Sequence, residues 1–231
     1  MLTTDCGAAM STGVIRESAE LPGGTRGYAA WSPDRRYRWV LRRVWPGPDR
    51  APSMTFVMLN PSTAGARTDD ATIRRCRWFS CREGCTSIEV VNLFALVSTD
   101  PRRLLTDDDP VGWACDQAIL DACIGPDEAE PRARIVVVAW GANAGHPKLR
   151  QRASDVLAML DSHNISYAAL GLTKQRQPLH PLRLSSSTSL AVMTAGQACL
   201  SQAQHRHLTA RAAPAHSRQA PRQGRLLPPV P

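Results

Sequence analysis

Lysine is nearly absent. Among the 28 basic residues only Lys148 and Lys174 are lysines, which reads as coding bias rather than physical design. No apolar run approaches the roughly 20 residues needed to cross a bilayer as a helix, which excludes a helical membrane protein. The first residues, MLTTDCGAAMSTG, lack a basic stretch leading into an apolar core, so no secretory signal is expected. Paired CxxC knuckles are missing too. The spacing Cys76-x4-Cys81-x3-Cys85 has no second ligand group to match it, and no metal site is expected. There is no P-loop, no GxGxxG and no GxSxG, which argues against P-loop nucleotide hydrolysis, Rossmann cofactor binding and an elbow-type serine hydrolase. No cofactor is expected.

What is present is a chain of 231 residues, 43% hydrophobic, long enough to bury an ordinary core. One domain with a tail is expected. Seven cysteines without a signal read as reduced thiols, and the expected compartment is the cytoplasm. The net charge of +8 is unevenly placed. Residues 185–231 hold five arginines and no acid, so most of the excess belongs to the tail. That segment, rich in Pro, Arg and Gln, reads as disordered. The high pI suggests an anionic partner, a nucleic acid or nucleotide, but says little about the folded part.

Residues 1–34 show no sustained period and read as a loose lead-in. Residues 37–45 alternate on a period of two, with Tyr37, Trp39, Leu41 and Trp45 on one face, as in a half-buried strand. The run 54–59 is apolar at every position and stops at Asn60-Pro61, which suits a central strand covered on both sides. Residues 71–84 read as a helix, 88–94 as a strand, and Asp109-Pro110 as the opening of a helix reaching about Cys123. The run 135–140 is the clearest buried strand, followed by a helix over 147–162 and a last strand over 165–170. Strands alternating with helices at this spacing imply one three-layer α/β/α domain over 35–184 with a mostly parallel sheet. Ligands of such sheets sit beyond the carboxyl ends of the strands. Asn60, Asn92, Gly141 and the loop carrying His180 are the polar groups expected there.

The segments Met58-Leu59-Asn60-Pro61-Ser62-Thr63-Ala64, Asp70-Ala71-Thr72-Ile73-Arg74-Arg75-Cys76, Val91-Asn92-Leu93-Phe94-Ala95 and Thr99-Asp100-Pro101 come first. Asp109-Pro110-Val111-Gly112, Asp116, Trp140-Gly141 and Gln177-Pro178-Leu179-His180-Pro181-Leu182 continue in order. Together they resemble a bacterial and phage family known only as domain of unknown function 1643 (DUF1643), from about Tyr37 to Leu184. The chain departs from that pattern at Ala71, where the family favours proline, and at Cys115, where it favours asparagine. A second resemblance, in motif order alone, is to the uracil-DNA glycosylase superfamily. Leu59-Asn60-Pro61, Val91-Asn92, Trp140-Gly141 and His180-Pro181 stand in that superfamily's order. The leading glycine of its first motif is replaced by Met58, and Pro-Leu follows His180 where Pro-Ser is usual.

That second resemblance implies roles. Asn60 would orient a water for attack on an electron-poor sugar carbon; an amide is too weak a base to do more. Asn92 would offer a donor and an acceptor in one plane to a pyrimidine-like edge. His180, stiffened by Pro178 and Pro181, would hydrogen-bond the oxygen that turns negative as a base leaves. Trp140 and Gly141 end the neighbouring strand. Each has a plainer account: an Asn-Pro turn, a satisfied strand-end amide, a surface histidine. Phe94 is either a stacking platform for a base or, more simply, core. Thr63, helix-start amides and Arg74 or Arg75 are candidates to receive phosphate, although Asp69 and Asp70 oppose an anion there, and Asp70 reads as the helix cap. The leading expectation is nucleobase, nucleotide or nucleic-acid processing at a metal-independent pocket, with N-glycosidic bond hydrolysis as the reaction. The alternative is a non-catalytic nucleic-acid-binding module built on the arginines and the tail.

Overall fold

The computed structural model describes residues 13–125 and 133–193. They form one eight-stranded sheet in the order β1-β2-β3-β5-β4-β6-β7-β8 with three α-helices. The strands are β1 (Ile15–Leu21), β2 (Thr25–Trp31), β3 (Arg38–Val44), β4 (Ser53–Met58), β5 (Ser87–Asn92), β6 (Arg134–Val138), β7 (Tyr167–Ala169) and β8 (Ala191–Met193). The helices are α1 (Ala71–Arg82), α2 (Cys115–Ile124) and α3 (Arg150–Ser162).

The four middle strands, β5-β4-β6-β7, are parallel. β4 is buried at all six positions because it is covered on both faces, as its uninterrupted apolar run implies. On one side Met54, Phe56 and Met58 pack with Ile73, Cys76 and Phe79 of α1. On the other side Val57 joins Ile119 of α2 and Val156 and Leu160 of α3. The chain runs from β4 outward to β5 and then back across β4 to β6, so a crevice opens at the carboxyl ends where the direction of winding reverses.

The sheet is not mostly parallel. Four of its seven ladders are antiparallel: β1 with β2, β2 with β3, β3 with β5, and β7 with β8. The expected loose lead-in is the main reason. Residues 15–31 form a hairpin that extends through β3 into a three-stranded antiparallel wing. In β1 every second residue is exposed, so its apolar signal is diluted below what a period-of-two reading detects. At the other edge, the expected tail contributes β8, and the proposed disorder of 194–231 lies outside the described residues.

Two local expectations also change. The helix expected from Pro110 begins only at Cys115: Gly112 has φ +79°, and Asp109 closes this turn by accepting from Gly112 N at 2.9 Å. The face assigned to 37–45 is split by a bulge. Trp31 pairs with Arg38 and Ala30 with Val40, leaving Trp39 as the extra residue. Tyr37, Trp39 and Val40 therefore belong to the side of α2 and α3, whereas Leu41 and Trp45 pack on the side of α1.

Candidate functional site

Each strand-end motif is stitched to a neighbour by hydrogen bonds. After β4, Asn60 Nδ2 donates to Pro61 O at 2.9 Å and to Ser98 O at 2.8 Å. Ser98 N returns a bond to Pro61 O at 2.9 Å. Both amide hydrogens of Asn60 are thereby spent on carbonyls. That settles the orientation of the amide and leaves Oδ1 as its acceptor. At the end of β6, Trp140 Nε1 donates to Gln177 Oε1 at 2.9 Å, and Gly141 N to Pro178 O at 2.8 Å. These two bonds carry the 177–181 loop over the strand end and bring His180 to it.

Gly141 occupies φ +80°, ψ −176°, a conformation open essentially to glycine alone. A Cβ there would also lie 3.0 Å from His180 Cβ. The histidine ring is fixed in turn: its Nδ1 accepts from Leu182 N at 3.2 Å, which starts a 3₁₀ turn over Pro181–Arg183. With Nδ1 accepting, the neutral ring carries its hydrogen on Nε2. Burial holds the imidazole below its ordinary pKa, with the Asp70 carboxylate pulling the other way, so His180 is neutral at pH 7.

These residues meet around one cavity of about 310 Å³ at the carboxyl end of the parallel strands. Asn60, Asn92, Trp140, Gly141 and His180 all line it. Asn92 is 3% exposed, and its Nδ2 has no hydrogen-bond partner. A buried donor left unpaired costs roughly 1–3 kcal/mol, so it calls for an explanation.

The remaining candidates are elsewhere. Phe94 is 3% exposed and belongs to the core on the α2 and α3 side, so it offers no ring to a ligand in the cavity. Thr63 is exposed and outside the lining. Arg74 is exposed, and its Nη1 donates to Asp69 O at 2.7 Å. Arg75 donates to Leu184 O at 2.6 Å and lies over the Trp78 and Phe79 rings at 4.7 Å. Both guanidinium groups serve the packing around α1 rather than the cavity. Cys81 is exposed on α1 and Cys85 is buried beyond its end, so the two do not share a helix face. No group of three or more His, Cys, Asp or Glu suited to a metal ion occurs among the described residues.

Two charged residues of the lining were not singled out from the sequence as ligand groups. Asp70 caps α1, Oδ1 accepting from Ile73 N at 2.8 Å, and it faces the same cavity. Arg38, at the start of β3, is 3% exposed. Because β3 runs antiparallel to β5, its first residue lies beside the last residues of the parallel strands. The bulge at Trp39 puts Arg38 on the α1 side with Leu41, where strict alternation would put it opposite. Its Nη1 donates to Ala64 O at 2.7 Å, while Nε is buried without a partner. Burial pulls the guanidinium down to about 10, against the opposing effect of Asp70, so it is charged at neutral pH. A search for charged strand ends at the carboxyl side passes over the amino end of an antiparallel neighbour.

A second arginine holds the loop between Asn60 and α1. Arg43 is fully buried; its Nε pairs with Asp69 Oδ1 at 2.8 Å, and its Nη2 donates to Gly65 O at 2.6 Å and Thr68 O at 3.0 Å. The loop that carries Asn60 toward the Asp70 cap is thus tied to β3.

An α/β sheet with a polar cavity at its point of reversal defines the class of architecture. The family described as "Protein of unknown function (DUF1643)" matches residues 38–182, more than half of the chain, and the chain belongs to that family. The match begins at Arg38 and ends just past His180. No curated protein and no solved structure matches the chain.

Proposed function

We propose that the cavity binds a nucleobase or nucleotide and that the protein hydrolyses an N-glycosidic bond. The observation that carries this reading is the complementary state of two groups around one cavity. Asn60 keeps an oriented acceptor after its two N–H groups are used. His180 keeps a donor, Nε2–H, after its Nδ1 is used.

Water held by Asn60 Oδ1 attacks the anomeric carbon. The C–N bond breaks, and its electron pair passes to the base. A carbonyl oxygen of the departing base gathers this charge and accepts from His180 Nε2–H. A neutral imidazole is suited to that task because it donates without giving up its proton. Asp70 faces the positive charge that develops on the sugar and takes the proton released by the attacking water. Asn92 reads the edge of the base, which supplies the acceptor that Nδ2 lacks. A cavity of about 310 Å³ is at the small end of the ~300–1,000 Å³ typical of small-ligand sites, which favours one ligand no larger than a mononucleotide.

The alternative of a non-catalytic nucleic-acid-binding module gains little from α1, where Arg74 and Arg75 are already engaged within the fold. The test is a chromatographic screen for released base over uracil-containing and modified oligonucleotides, nucleosides and nucleotides. Release abolished by Asn60→Ala and by His180→Ala supports hydrolysis. A folded protein that releases no base from any of them overturns it.

A further inference from the structure

We propose that Arg38 is an anion-binding residue of this cavity and that the ligand carries a phosphate, as a nucleoside 5′-monophosphate does. The identity of the ligand rests on the nucleotide reading above; the anion site itself does not.

A guanidinium at 3% exposure has been stripped of water, and such groups are almost always paired. Arg38 forms no ion pair among the described residues. Its hydrogen bond is to one backbone carbonyl, and Nε–H has nothing to donate to. Arg43, five residues along the same strand, shows the ordinary solution: a carboxylate and several carbonyls around one buried guanidinium. Arg38 lacks that set and lines a cavity instead.

Asp70 is the carboxylate of the lining. Its Oδ1 is engaged by Ile73 N at the positive end of α1, so part of its charge is already answered there. It lowers the cost of holding Arg38 charged without pairing with it.

Two further features suit a phosphate. Ser62 and Thr72 line the same cavity, and neither hydroxyl makes a hydrogen bond within the described residues. Donors of this number in the lining of one small cavity fit a group with several acceptor oxygens and a negative charge, which an arginine fork recognises well. The cavity's size favours a free mononucleotide over the backbone of a strand.

The test is calorimetric titration of the full chain with nucleosides, their 5′-monophosphates, inorganic phosphate and a short single-stranded oligonucleotide. The monophosphates are expected to bind about ten- to hundredfold tighter than their nucleosides, the worth of a hydrogen-bonded charge pair. Inorganic phosphate is expected to compete. Arg38→Met should erase the preference, and Arg38→Lys should restore part of it. If Arg38→Met fails to fold by circular dichroism, the wild-type comparison and Arg38→Lys decide. Equal affinity for nucleoside and monophosphate, binding of the oligonucleotide alone, or no binding overturns the proposal. Tight monophosphate binding without release of base leaves the anion site standing and removes the hydrolysis reading.

Discussion

Gly141 and His180 face each other so closely that a single methyl group on Gly141 would lie 3.0 Å from His180 Cβ. The end of β6 and the late loop are therefore one unit, joined as well by the bonds from Trp140 to Gln177 and from Gly141 to Pro178. Gly141→Ala meets both this contact and a backbone conformation that L-residues avoid. It is expected to lose roughly 1–3 kcal/mol in urea unfolding. Any ligand-dependent rise in melting temperature should shrink with it, because the imidazole is displaced.

The pH dependence of stability should carry the mark of His180. Its pKa is lowered in the folded protein by burial, so on acidification the unfolded chain takes up the proton first. The associated stability is complete above the pKa of a free imidazole and declines as pH falls through that value toward the lowered one. His180→Asn keeps an acceptor at the position of Nδ1 for Leu182 N and cannot titrate. Its unfolding free energy should be flatter than the wild type's across this mildly acidic window, as measured by urea titrations at several pH values.

Asp70 has two duties that different substitutions separate. Asp70→Ala removes the α1 cap and should cost about 1 kcal/mol of stability. Asp70→Asn keeps a capping oxygen but removes the charge. It should stay near wild-type stability while losing base release, and strengthen phosphate binding if Arg38 is freed of its opposing neighbour. Thermal melts paired with base-release assays distinguish the two.

Arg43→Met should be the most damaging of the single changes. It strands Asp69 and the carbonyls of Gly65 and Thr68, and breaking a buried pair in this way typically costs about 3–5 kcal/mol. The urea midpoint should fall accordingly, and the effect on ligand binding should follow the loop that leads from Asn60 to α1.

Much of the middle of the fold was legible in the sequence. The runs that became β4, β5 and β6 are buried on both faces at nearly every position, with Glu89 and Arg134 the half-buried exceptions, so most positions carry the signal. Asp70 is legible as a cap because capping is decided within three residues. The polar groups at the strand ends could be named for the same reason: each interrupts an apolar run where the chain must turn. The wing of β1 and β2 was not legible: β1 has every second residue open to water, and β2, though mostly buried, is built of small and polar residues such as Thr25, Gly27, Ala29 and Ala30 that carry little apolar signal. Phe94 shows the converse: placed next to a site asparagine in the chain, it turns into the core two residues later.

By itself, then, the sequence determined which segments must be buried, where they stop, and that Asn60, Asn92 and His180 end up at chain reversals. Those are local consequences of hydrophobicity, proline and capping. Only the tertiary structure decided that β3 runs against β5 and that a bulge at Trp39 turns Arg38 to the α1 side. Strand direction and bulge position depend on pairing between residues far apart in the chain. That pairing is what places a buried guanidinium with no ion pair among the described residues beside the strand-end amides.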